Sequence, residues 1–199
     1  RLELYFQPIR PIPRADATAF HELPVRLRED DGRLVSPGEF IPAAERYNVM
    51  SVIDRWVIER AIERLKEWVS RAAANARPGL AGPGALPPGM ASGMPISGAA
   101  TVRVLEASPA RDRSAPQLPL LAVNLSGTSL NEQSFIDFVL QQVGDPMLAQ
   151  ALCFEITETA AVTNLSNATF VMRELKARGC RFALDDFGAG LSSFMYLKT

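Results

Sequence analysis

One histidine and two cysteines in 199 residues leave little room for several common kinds of chemistry. A lone His21 excludes a multi-histidine zinc site and leaves a single candidate base for a serine–histidine arrangement. It precedes Glu22 in a strand-like run, so alternation turns it to the opposite face and it reads as structural. Cys153 and Cys180 each begin an apolar run and read as buried, reduced thiols rather than a disulfide, in keeping with a cytoplasmic setting. No apolar run approaches the ~18 residues of a membrane span. The first residues lack the basic-then-apolar order of a signal peptide. Strong charge of one sign is missing too. Lys and Arg number 21 against 22 Asp and Glu, a net −1 that offers no footprint for a DNA or RNA polymer. What remains is 47% hydrophobic with a mean hydropathy of +0.03, a soluble globular composition able to build a sizeable core.

The informative stretch runs from Cys180 to Ser193. Phe182-Ala183-Leu184 reads as a strand buried on both faces; it ends in Asp185-Asp186, and a Gly188-Ala189-Gly190 loop and Ser192-Ser193 follow. Two adjacent carboxylates repel, so they need a cation, a proton or water to coexist. Alone, this pattern is equally a solvated turn before a glycine loop. The same design occurs twice upstream. Leu120-Leu121-Ala122-Val123 ends in Asn124, and Leu152-Cys153-Phe154 ends in Glu155. The spacings, 31 and 30 positions, match one strand-plus-helix repeat. Three oxygen-bearing side chains therefore stand at equivalent strand ends, which in a barrel converge on one face. Such oxygens suit a hard divalent cation.

Six blocks, in order, then resemble the EAL domain, the bacterial cyclic-di-GMP phosphodiesterase family with a modified TIM barrel. They are Tyr5-Phe6-Gln7-Pro8-Ile9, Glu22-Leu23-Pro24-Val25-Arg26, Ser36-Pro37-Gly38-Glu39-Phe40-Ile41-Pro42, Asn124-Leu125-Ser126, Glu155-Ile156-Thr157-Glu158 and Asp185-Asp186-Phe187-Gly188. The resemblance implies a TIM-barrel-like (β/α)8 fold of the EAL type over residues 1–199, of which about the first five strands are present. It implies hydrolysis of cyclic-di-GMP to linear pGpG with Mg²⁺ or Mn²⁺, inhibited by Ca²⁺. Glu22, Asn124, Glu155 and Asp185 match the family's metal ligands. Asp186 matches the position serving a second metal or its water. Glu158 matches a glutamate that steadies the loop after the aspartate pair, and is counted with Asp186 in the catalytic group. Gln7 and Arg26 match substrate contacts, a guanine edge and a phosphate. The namesake triad reads Glu-Leu-Pro here, and Pro24 removes a ladder N–H, which implies an irregular strand.

The remaining segments fit around these blocks. Residues 2–9 alternate as a first strand with Leu2, Leu4 and Phe6 on one face, and residues 19–27 form a second, with Glu22 and Arg26 sharing a face. Glu29 to Arg33 is a polar turn. Ser36-Pro37-Gly38-Glu39 carries the start signals of a helix. A longer helix follows, with Ile53, Trp56, Val57, Ala61, Ile62, Leu65, Trp68 and Val69 inward, and Asp54 among the polar residues opposite. Phe135, Phe138 and Val139 mark another helix, and Asn167 to Arg178 a further one, capped by Gly179. Residues 77–119 hold eight of the fifteen prolines and six of the thirteen glycines and no aromatic, so 77–118 reads as a mostly disordered insert, with a short strand at 101–105.

The resemblance also implies a downstream lysine, glutamate and glutamine that this sequence does not contain; Lys198 is not that lysine. The expectation is a piece of a longer protein, inactive alone, with an open strand edge at Phe182–Leu184. The cytoplasmic parent could be tethered to a membrane through other domains, and a homodimer is left open. Two other readings stand beside the phosphodiesterase. One is a non-catalytic cyclic-di-GMP-binding or signalling module. The other, from residue types alone, is a different metal barrel that abstracts protons in the manner of enolases.

Overall fold

Strand pairing organises the chain in the computed structural model, which describes residues 1–9, 20–75, 103–104, 118–163 and 165–186. The chain starts as an antiparallel ribbon: β1 (Leu2–Leu4) pairs with β4 (Val25–Arg28), and β2 (Gln7–Ile9) with β3 (Phe20–Glu22). One register runs through both halves, because Leu4 faces Val25 and Gln7 faces Glu22, while Tyr5 N–H bonds the Pro24 carbonyl between them at 3.0 Å. The two strands expected at 2–9 and 19–27 are thus each divided, and Pro24 marks the break. Lacking an N–H, it cannot continue the ladder, and the ribbon passes from one sheet to another. β1 and β4 form a three-stranded sheet with β5 (Leu34–Val35), pinned by a bidentate pair from Arg28 to Glu3 at 2.6 and 2.9 Å.

The larger sheet has the order β2-β3-β7-β8-β9-β6. Its centre is parallel: β3 with β7 (Leu120–Leu125), β7 with β8 (Leu152–Thr157) and β8 with β9 (Arg181–Asp185). Antiparallel β2 closes one side and β6 (Arg103–Val104) the other. The edge expected to be open at Phe182–Leu184 is paired instead, with Ala183 and Leu184 opposite Val104 and Arg103. The disorder expected across the rest of 77–118, and the loop from Phe187 onward, lie outside the described residues.

Helices return the chain between parallel strands. α1 (Pro37–Arg46) begins as the sequence predicts: the Glu39 carboxylate accepts from Ser36 N at 3.2 Å and Ser36 Oγ at 3.0 Å. α2 (Met50–Asn75) lays Val57, Ile58, Ala61, Ile62 and Leu65 against the sheet. α3 (Gln133–Gln142) buries Phe135, Ile136 and Val139, and α4 (Pro146–Ala149) leads into β8. α5 (Glu158–Thr163) follows β8 directly, and α6 (Leu165–Ala177) ends at Gly179, whose φ of 98° lets the Cys180 N–H reach the Leu175 carbonyl at 3.1 Å. The core lies between these helices and the outward side of the sheet, where Phe154 and Phe182 face each other in register with ring centroids 5.8 Å apart. Among the described residues no helix is long and apolar enough to cross a membrane.

Candidate metal and phosphodiester site

Register decides which side chains can meet. Glu22 lies opposite Ala122, and Asn124 is two residues further along β7. Asn124 lies opposite Glu155. Glu155 lies opposite Ala183, and Asp185 is two residues further along β9. Steps of two keep a side chain on its face, so Glu22, Asn124, Glu155 and Asp185 all share the inward face. The two-residue offsets run in one direction, as the stagger of tilted barrel strands requires. Gln7 stands directly opposite Glu22 on β2 and joins the same face.

The side chains act on one another as this placement requires. Asn124 Nδ2 donates to Glu22 Oε1 at 3.4 Å. Burial, and next the charge of Asp185, pushes the Glu22 carboxyl above its usual range, while the Asn124 hydrogen bond and the charge of Arg26 pull the other way. Glu155 is 2% exposed and its carboxyl is pushed up to about 7, by burial first and then by the charges of Glu22 and Asp185. Its Oε1 is buried with no hydrogen-bond partner among the described residues. A cluster of like charges with an orphaned oxygen is short of positive charge. The oxygen donors (three carboxylates and an amide) suit Mg²⁺ or Mn²⁺. Among the described residues, no three Asp, Glu, His or Cys side chains are drawn tightly enough together to hold a metal by themselves. The set is aligned on one face by strand register.

The other expected residues stand around this set. Asp186 is exposed with φ of 54°, and its N–H bonds Asp185 Oδ1 at 2.9 Å. Strand alternation ends there, in a left-handed conformation that aspartate tolerates better than most residues. Glu158 is 2% exposed and opens α5, one residue beyond Thr157, the residue paired with Asp185. Arg26 sits on β4, beyond the Pro24 break, with Nη1 donating to the Val25 carbonyl at 2.9 Å. His21 is buried on the opposite face from Glu22, and burial lowers its basicity. Cys153 and Cys180 are free and buried, with both thiols pushed up to about 12.

One carboxylate is placed against expectation. Asp54 is not on the polar face of α2: it is 4% exposed, and Oδ2 accepts from Ser126 N at 3.0 Å, Ser126 Oγ at 2.8 Å and Ser129 Oγ at 2.6 Å. Burial raises its carboxyl and those three hydrogen bonds oppose the rise. A signal was available, since Asp54 falls on the stripe of Ile58, Ala61 and Leu65 at steps of four, three and four.

Residues 1–81 and 96–199 match the EAL domain family. The chain belongs to that family. The EAL chain is 31% identical to the cyclic di-GMP phosphodiesterase PdeB of Shewanella oneidensis over 99% of its own length and 18% of that protein's. It is 27% identical to the cyclic di-GMP phosphodiesterase PdeF of Escherichia coli, over 98% of its length and 20% of the relative's. The crystal structure of the FimX EAL domain from Pseudomonas aeruginosa bound to c-di-GMP superposes with a TM-score of 0.65 at 22% identity, covering 99% of this chain and 61% of that one. These likenesses carry the fold, a TIM-barrel-like α/β architecture of which this EAL chain holds a part. The chain spans about a fifth of the curated relatives' length.

Proposed function

We propose that this chain supplies the metal-holding half of a cyclic-di-GMP phosphodiesterase site. The observation that carries the reading is the single inward face shared by Glu22, Asn124, Glu155 and Asp185, with Glu155 Oε1 buried there and without a hydrogen-bond partner among the described residues. These four side chains would hold Mg²⁺ or Mn²⁺. The chemistry such a cation supplies is neutralisation of phosphoryl oxygens and a lowered pKa for a bound water. Around it, Gln7 offers an amide beside Glu22 to a guanine edge. Arg26, whose fork suits two oxygens, is available to a ligand phosphate. Asp186 stands at the strand end to hold a second cation or orient water, and Glu158 steadies the turn beside it. The same reading sets the chain in the cytoplasm, in keeping with two free buried thiols.

The test separates turnover from binding. The 199-residue chain is incubated with cyclic-di-GMP and Mn²⁺, product is separated by chromatography, and Mn²⁺ affinity is measured by electron paramagnetic resonance. Saturable Mn²⁺ binding weakened at least about tenfold in Asp185→Asn supports the site. Formation of linear dinucleotide makes the chain itself an enzyme. Ligand binding without product favours the receptor reading. Wild-type chain that takes neither Mn²⁺ nor cyclic-di-GMP overturns the proposal.

A further inference from the structure

Asp54 buries a carboxylate against the loop that follows β7, a strand that ends at Leu125, one residue beyond Asn124. Asp54 Oδ2 accepts from Ser126 N–H, Ser126 Oγ and Ser129 Oγ, two and five residues beyond Asn124. The two hydroxyl oxygens lie 2.7 Å apart, side by side on the carboxylate, and Ser129 N–H donates to Ser126 Oγ at 3.2 Å. Thr128 Oγ1 closes the group at 3.1 Å from Ser126 Oγ. Between the serines, Gly127 packs so closely that a Cβ there would stand 2.8 Å from Ala160 Cβ on α5, the helix that Glu158 opens. The loop is thus clamped from two sides, by a carboxylate on α2 and by Ala160 of α5. Stability alone does not call for this arrangement. A buried carboxylate is costly, and an apolar residue of similar size in the Ile58–Ala61–Leu65 stripe would pack α2 at least as well. Buried polar networks that are fully bonded specify one geometry.

We infer that Asp54 is a positioning residue: by fixing the loop at Ser126 and Ser129, it holds the end of β7 so that the Asn124 amide stays aimed at the inward face beside Glu22. The inference rests on the proposed role of Asn124 and deepens it. Asn124 makes a long hydrogen bond to Glu22, at 3.4 Å, so its orientation is not set by that contact alone. The residue that ends the strand, Leu125, is buried and seated in the core, which transmits a fixed loop into a fixed strand end.

The experiment uses the 199-residue chain with Asp54→Ala, Ser126→Ala, Ser129→Ala and the Asp54→Ala/Ser126→Ala double variant. Ile62→Val, in the same helix, serves as a packing control. Two readouts are taken: the affinity for Mn²⁺ alone, and the side-chain amide resonances of Asn124 in the metal-free chain, assigned by their loss in Asn124→Asp. Expected is a roughly tenfold weaker Mn²⁺ affinity in Asp54→Ala, the size of effect that groups behind metal ligands produce. The Asn124 amide peaks should shift in Asp54→Ala and Ser126→Ala alike, the double variant should be no worse than the more severe single one, and the control should move neither readout. If Asp54→Ala does not fold, Ser129→Ala, which removes one bond, carries the same expectation at smaller size. Unmoved Asn124 peaks in folded variants, or equal movement in the control, overturn the inference. A wild-type chain that ignores Mn²⁺ while its Asn124 peaks still answer to Asp54 removes the metal reading and leaves the positioning role standing.

Discussion

The two faces of β7, β8 and β9 have opposite compositions and opposite consequences. Outward, Leu121, Val123, Leu125, Leu152, Phe154, Ile156, Phe182 and Leu184 are buried in one cluster under the helices. Inward, the same strands carry Asn124, Glu155 and Asp185, with the cluster of Leu120, Cys153 and Ala183 packing beneath them against Phe20. The outward face stabilises the chain, and the inward face concentrates like charge at a cost to stability. A strand of period two makes both from one hexapeptide, so the fold and the site are separable by substitution.

The largest test of that separation is Phe154→Ala. Phe154 is fully buried against Phe182, and its truncation should cost about 3–5 kcal/mol, read as a lowered urea midpoint. Any variant that still folds should retain the inward geometry and its Mn²⁺ response.

The inward face should behave oppositely. Glu155 is protonated more readily in the folded chain, pushed up to about 7, than in the unfolded one, where its ordinary value is 4.5. Between those values the folded state binds more protons, so stability falls as pH rises from 4.5 to 7 and stays reduced above. The metal-free chain should lose up to ~3 kcal/mol across that window. Glu155→Gln should remove most of this slope, stabilise the chain at pH 8 and abolish tight Mn²⁺ binding. Melting curves at pH 5 and 8 check it; an identical slope in the variant would place the titrating group elsewhere.

A smaller effect is expected where the two faces meet at the strand end. Gly127→Ala places a Cβ 2.8 Å from Ala160 and should cost about 1–3 kcal/mol while loosening Mn²⁺ affinity, because the displaced loop is the one Asp54 holds. Last, Arg64→Ala breaks an exposed pair with Glu67 at 2.9 Å on α2 and should change stability by less than about 0.5 kcal/mol. Set beside Asp54→Ala, it measures how far two polar side chains of one helix differ once one of them is buried.

Much was legible in advance because it is local. The strands at Leu120, Leu152 and Phe182, the capped start of α1 and the Gly179 ending of α6 follow from runs, spacing and backbone preference within a few residues. The alignment of Asn124, Glu155 and Asp185 was legible from a constant repeat, since equal spacing places equivalent atoms at equivalent strand ends. Pro24 announced an irregularity, because a missing N–H is a property of the residue.

What the sequence could not state is anything set by pairing across distance. Whether the ribbon divides between two sheets depends on where its ladder finds other strands, and Arg103–Val104 joining β9 is a contact between segments some eighty residues apart. Asp54 read as a solvent-facing charge because local pattern prices a carboxylate as exposed. Only the tertiary structure brings Ser126 and Ser129 to it across more than seventy residues, and three donors on one oxygen are what make its burial tolerable.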